Sequence, residues 1–205
     1  FQNTAETKLD KQKINLKAAK VPMQNRRKFL TGAFGAGLGF AALSFPVVAR
    51  ANYDAPKGFH HQDWFMPTTF DLRQDHKAAM DSGKLLVLLW EQEGCTYCKQ
   101  MHEVAFAYEE IVDVAKANFH IVQMDMRGER PFVDFEGNKS TEGKIAKSMA
   151  VTFTPTTQFH DKKGEVYRMP GYANPPVFKA VYDYVVEKGY KESGFRDWIK
   201  KKSGE

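Results

Sequence analysis

The 205-residue chain carries 30 Lys and Arg against 25 Asp and Glu, but the excess is not spread evenly. Residues 1–51 hold nine basic and two acidic residues, which leaves 21 of the 30 basic and 23 of the 25 acidic residues for the other 154. The body of the chain is therefore near neutral, which excludes a nucleic-acid footprint. Its two cysteines are too few for a small domain stapled by disulfides, or for a zinc site built on two cysteine pairs.

Residues 1–22 are polar and lysine-bearing, closed by Pro22, and read as disordered or as an upstream extension, with Met23 as a candidate initiator. Residues 23–51 join Arg26-Arg27, followed by Phe29-Leu30, to a soft apolar run containing Gly32, Gly35, Gly37 and Gly39, and then to Ala49-Arg50-Ala51. This resembles a twin-arginine signal peptide, departing from it at Asn25, where Ser or Thr is usual, and at Thr31, where Lys is frequent. An uncleaved anchor is the alternative, since residues 29–49 just reach across a bilayer core of about 30 Å. The four glycines, Pro46 and the Ala-x-Ala ending favour cleavage. Either outcome places the folded part outside the cytoplasm, in the periplasm.

Residues 52–69, with the four aromatics Tyr53, Phe59, Trp64 and Phe65 and the pair His60-His61, read as an irregular arm whose aromatics pack on the domain. Phe70 to Ser82 is a short amphipathic helix ended by Gly83, and Leu85 to Trp90, apolar on both faces, is the central strand of a covered sheet. After a turn through Gly94, one helix is expected from the cysteines to about Ala117, carrying the apolar stripe Met101, Val104, Ala105, Tyr108, Ile111, Val112 and Ala115. Phe119 to Met126 alternates as a second strand. Residues 127–141 form a polar hairpin or loop on the flank of the site, and Thr141 to Met149 a short helix. Pro155 opens the next strand, where a cis Thr154–Pro155 bond would turn the backbone toward a neighbouring loop. A hairpin turns at residues 161–164, and Asn174 caps a helix that Gly189 stops. Residues 191–205 form an amphipathic tail with Phe195, Trp198 and Ile199.

The chemistry concentrates at Glu91-Gln92-Glu93-Gly94-Cys95-Thr96-Tyr97-Cys98. A cysteine at the start of a helix faces unpaired N–H groups and the positive end of the macrodipole, which stabilise its thiolate. Cys95 is therefore the expected nucleophile. Cys98, one turn deeper on the same face, is placed to attack a mixed disulfide on Cys95 and so to resolve it. Cys95, Cys98 and His102 also fall at spacings seen in zinc sites, with His60 or His61 to complete a set. Cys95 and His102 stand two turns apart, however, and do not converge, so no metal is expected. His102 lies four residues after Cys98, where it can tune the buried thiol electrostatically. The methionines at 101, 124, 126 and 149 fall at core spacings and read as packing.

From about Phe70 to Tyr190 the order of elements resembles the thioredoxin fold, an α/β architecture with a central mixed sheet flanked by helices, so that residues 70–190 form one thioredoxin-like domain. The combination of Glu-Gly-Cys-Thr-Tyr-Cys-Lys-Gln-Met-His, Thr-Pro-Thr and Pro-Gly-Tyr is similar to the SoxW-type periplasmic thioredoxin-like proteins associated with sulfur oxidation. The resemblance implies a monomeric thiol–disulfide oxidoreductase with no organic cofactor. It would act on protein thiols or disulfides and, as a reductase, be recharged by a membrane thiol-electron donor. It also implies that Pro155 is a cis-proline facing Cys95 and Cys98, and that Thr154, Pro155 and Tyr97 contact the partner, with Thr154 pairing to it like an added strand. Two departures stand out. The buried acid that such reductases place six positions before the first cysteine is here Leu89, so Glu91, Glu93 or water must take the proton of Cys98. The intervening dipeptide is Thr-Tyr rather than Gly-Pro, which leaves the direction of electron flow open between reductase and oxidase or isomerase.

Overall fold

The computed structural model describes residues 55, 56 and 58–204; the extension 1–22, the leader 23–51 and the first residues of the arm fall outside the described residues. The elements are organised by β1 (Leu85–Glu91), whose residues from Leu86 onward are all buried. An apolar run with no polar face satisfies its backbone only between two strands and its side chains only between two layers. β1 accordingly pairs in parallel with β2 (Phe119–Asp125) on one side and antiparallel with β5 (Thr156–Asp161) on the other. β6 (Gly164–Pro170) adds to β5, giving the order β2-β1-β5-β6 in a mixed sheet.

The period of two along β1 divides the core in two. Val87 and Leu89 pack with Met101, Phe106, Ile111, Phe178 and Tyr182, beneath α2 (Thr96–Glu103), α3 (Glu109–Asn118) and α5 (Pro175–Val186). Leu86, Leu88 and Trp90 pack on the other face with Leu72, Val122, Phe132 and Ile145, beneath α1 (Leu72–Asp81) and α4 (Glu142–Ser148). The hairpin β3–β4 (Pro131–Val133 and Lys139–Thr141) docks on this second core through Phe132, and Val133 N–H donates to Phe70 O at 2.9 Å. It therefore sits at the start of α1, not on the flank of the cysteines as expected. α6 (Phe195–Ser203) returns to the first core through Trp198, 5.3 Å from the ring of Tyr184.

Three expectations need correction. The helix after the cysteines is not continuous: α2 ends at Glu103, a 3-10 turn spans Ala105–Ala107, and Tyr108 is extended before α3 begins. Ala105 and Phe106 remain buried through the break, so the apolar stripe persists while the hydrogen-bond ladder is interrupted. Periodicity reports which side faces the core, not whether the ladder is unbroken. The pair Glu109-Glu110 in the first turn of α3 marks the new start, because acidic residues favour a helix N-terminus. Second, β2 does not alternate between core and solvent; only Asp125 at its end escapes full burial, since both faces are covered. Third, Gly189 does not stop α5 by turning left-handed, as Lys188 takes that conformation (φ 58°). Gly189 is needed for close packing. A Cβ there would lie 2.7 Å from the ring of Trp198 and closer still to that of Tyr184.

Leu86 faces His120 on β2 and His160 on β5, and both imidazoles are buried. His160 stacks near Phe135 at 5.1 Å, and burial pushes its pKa from 6.5 down to about 4. The fold thus favours the neutral ring. The unfolded chain binds the proton first, so the contribution of His160 is full above pH 6.5 and is lost as pH falls toward 4. Replacing His160 with Phe is expected to remove up to about 3 kcal/mol of the stability lost between pH 7 and 4, measured by urea unfolding across that range. Gly189→Ala is expected to destabilise the domain by about 1–3 kcal/mol in the same assay, by overpacking against Trp198 and Tyr184.

Candidate active site

The carboxyl end of β1 delivers the site. Glu91 closes the strand, Gly94 takes a positive φ of 73° in the turn, and Cys95 is the N-cap of α2. A residue with a Cβ is strained in that conformation. Cys95 Sγ accepts a hydrogen bond from Cys98 N–H at 3.1 Å, and the two sulfurs are joined as a disulfide. Cys98 is buried at 3% exposure, whereas Cys95 is half-buried. One sulfur is thus open to an attacking thiolate and the other is withdrawn under the helix. On reduction the open sulfur takes the N-terminal position at which backbone N–H groups stabilise a thiolate.

The remaining predicted residues arrive from two sides. Trp90 pairs with Thr156, so the preceding Thr154 and Pro155 fall at the same end of the sheet as Glu91 and the cysteine turn. The Thr154–Pro155 bond is cis, Pro155 is buried, and its carbonyl accepts from Gly171 N–H at 2.8 Å. Tyr97 is 59% exposed beside the disulfide, and Phe153 is exposed two residues before Pro155.

On the side of β2 the site is polar and buried. Glu91 is 2% exposed, and its two oxygens lie 3.0 and 3.2 Å from His102 Nε2. Gln123 Nε2 donates to Glu91 Oε2 and also to His60 O at 2.6 Å. Gln62 Nε2 lies 3.3 Å from His102 Nδ1 and donates to His102 O at 3.4 Å. The arm is fixed above this cluster. Phe65 is buried in the first core, Trp64 stands edge-on to Phe106 at 5.3 Å, and Met66 N–H donates to Ile121 O at 2.8 Å. Burial in this arm lowers the pKa of His61. The two candidate proton acceptors are separated by the structure: Glu91 is enclosed beneath α2, whereas Glu93 is exposed and lies against Gly58. His102 is fully enclosed. Gln123 was not identifiable as a site residue except as a polar side chain inside an apolar strand, and Gln62 left no signal.

A cavity of about 340 Å³ lies between the arm and the start of α2. Gly58, Phe59 and His60 form one wall; Gly94, Cys95, Cys98 and Lys99 form the other, with Glu91 also in its lining. Among the described residues no group of three His, Cys, Asp or Glu side chains is placed to hold a metal, and no helix is long and apolar enough to cross a membrane.

The family model described as a thioredoxin-like domain matches residues 72–186, more than half of the chain. No curated protein sequence matches it. Among solved structures, the chain is similar to a thioredoxin-fold protein from Helicobacter pylori at 23% identity and a TM-score of 0.51, over 59% of this chain and 85% of that one. A thioredoxin from Thermus thermophilus aligns at 23% identity and a TM-score of 0.46, over 57% and 84%. The periplasmic thioredoxin SoxS from Paracoccus pantotrophus aligns at 25% identity and a TM-score of 0.36, over 52% and 99%.

The difference in exposure of the two sulfurs has a direct consequence. In the reduced protein, iodoacetamide is expected to modify Cys95 well before Cys98, as followed by peptide mass spectrometry. Equal rates would show that the burial of Cys98 does not protect it.

Proposed function

We propose, since the chain belongs to the thioredoxin-like domain family, that it is a periplasmic thiol–disulfide oxidoreductase acting on protein disulfides, and that it works as a reductase. The observation that carries this reading is the Cys95–Cys98 disulfide at the N-terminus of α2, with one sulfur accessible and one enclosed. Reduced Cys95 attacks a partner disulfide and forms a mixed disulfide; Cys98 then attacks Cys95 and releases the reduced partner. Thr154, Pro155 and the exposed Tyr97 are the contact surface for the partner, which adds to the backbone at Thr154 as an extended strand. The protein acts as a monomer and needs no cofactor beyond the disulfide.

The compartment follows from the leader-like residues 23–51. The direction follows from the similarity of the cysteine turn, Thr-Pro-Thr and Pro-Gly-Tyr to SoxW-type proteins, which also suggests a link to sulfur oxidation. Because the periplasm is kept oxidising, a reductase there requires its own electron supply, and a membrane thiol transporter is the donor of suitable chemistry.

The deciding measurement is the equilibrium reduction potential of the Cys95–Cys98 pair against a dithiothreitol or glutathione series, with Cys98→Ser as the control that cannot close the disulfide. A potential near about −270 mV is expected for a reductase; one near about −120 mV would assign the opposite direction, an oxidase of protein thiols.

A further inference from the structure

We propose that in this chain the proton of the resolving thiol leaves on the arm side of the site, taken up by Glu91 within the Glu91–His102–Gln123 cluster and released to water in the cavity beneath residues 58–60. This rests on the exchange reaction proposed above and adds to it a route for the proton.

The resolving step needs Cys98 to lose a proton where solvent barely reaches it, and burial in apolar surroundings disfavours a thiolate. Position 89 offers no acceptor, being a leucine packed in the first core. Side chains two apart on a strand share a face, so Glu91 continues the face of Val87 and Leu89, the one that α2 covers. His102, four residues after Cys98 on α2, meets it there. Glu91, Cys95 and Cys98 line one cavity, which is polar enough and large enough to admit water.

The sheet order places this route on the side of the disulfide away from Thr154 and Pro155. β1 lies between β2 and β5, so Thr154 and Pro155 flank the disulfide on one side while Gln123 and the arm flank it on the other. A partner bound along Thr154 and Pro155 lies on the β5 side of the disulfide, across β1 from Gln123 and the arm. The charged and titratable groups facing Glu91 are His102 from α2, His60 and His61 from the arm, and the two cysteines, with Asp63 and Lys99 at the margin.

In the step itself, the Cys98 sulfur bonds to the Cys95 sulfur as the bond between Cys95 and the partner sulfur breaks. The electron pair leaves on the partner sulfur, which is reduced and takes a proton from solvent. The proton of Cys98 passes to a Glu91 oxygen and from there to cavity water, while His102 and Gln123 hold the carboxylate in place. His102 and Gln123 are positioning residues; Glu91 is the acceptor.

The test uses the reduced full chain and a chromogenic aromatic disulfide that releases one thiolate when Cys95 attacks and a second when Cys98 resolves. In Glu91→Gln the second release is expected to slow far more than the first. The second should slow by about 10–100-fold near neutral pH and recover by about tenfold per pH unit, because hydroxide must then remove the proton. Glu91→Asp is expected to restore most of the second rate, and His102→Gln to slow it without abolishing it. A second release as fast in Glu91→Gln as in the parent would overturn the proposal. So would equal slowing of both releases, which would mark Glu91 as merely structural. If the parent protein releases no thiolate at all, the oxidoreductase reading falls instead.

Discussion

A carboxyl group enclosed at the end of a central strand must be satisfied by neighbours, since removing a charged or polar group from water without partners costs several kcal/mol. Glu91 is such a group, and meeting its requirement draws four parts of the chain to one point. β1 supplies the carboxylate, α2 supplies His102, and β2 supplies Gln123. The arm supplies the carbonyl of His60 to Gln123 and the amide of Gln62 to His102. The cysteine helix therefore rests on a polar anchor at the level of the active turn, while deeper in the core it rests on Met101 and Phe106.

This anchor explains why the arm is part of the domain and not a tether to it. Trp64, Phe65, Phe106 and His102 form a run of edge-on and tilted rings with centroids 4.8–5.8 Å apart, the geometry in which aromatic quadrupoles attract. Phe65 is buried in the first core together with the β2 residue Ile121. Backbone pairing of Met66 with Ile121 carries the arm over the outer side of β2, which would otherwise present unpaired groups at that point. The mixed sheet then has different flanks at its active end: a bend around the cis Thr154–Pro155 bond on the side of β5, and a polar cluster with a cavity on the side of β2.

The opposite face of the sheet is built for stability. His120 and His160 bracket Leu86 as neutral imidazoles. Glu142, fully buried, is held by the Arg130 guanidinium at 2.5 and 2.7 Å and by Asp125 N–H. The disulfide and the cavity beside it lie at one end of the other face. Below pH 6.5 the second face becomes the weaker, because its histidines gain protons on unfolding.

Much of this was legible along the chain. The apolar run 85–90 could only be a covered strand. Two cysteines one turn apart after a glycine turn could only meet at a helix start. The hairpin at residues 161–164 and the Asn174 cap depend on neighbouring residues alone. These readings succeeded because local periodicity, caps and turns are set by atoms a few bonds apart. The break at Val104–Tyr108 escaped because an apolar stripe looks the same whether or not the backbone ladder beneath it is continuous. Gly189 was misread because its need is steric and comes from Tyr184 and Trp198, the latter on a different helix. Glu91 was visible as a candidate beside Glu93, but the two differ in no local property. Only the convergence of His102 from 11 residues away and Gln123 from 32 residues away encloses one and leaves the other in water. The sequence by itself determined the fold and the pair of cysteines that meet as a disulfide at a helix start. Which acid lies beneath the helix, and that residues 58–66 close over it, was decided only by tertiary packing, because burial is a property of long-range neighbours that no single stretch of the chain contains.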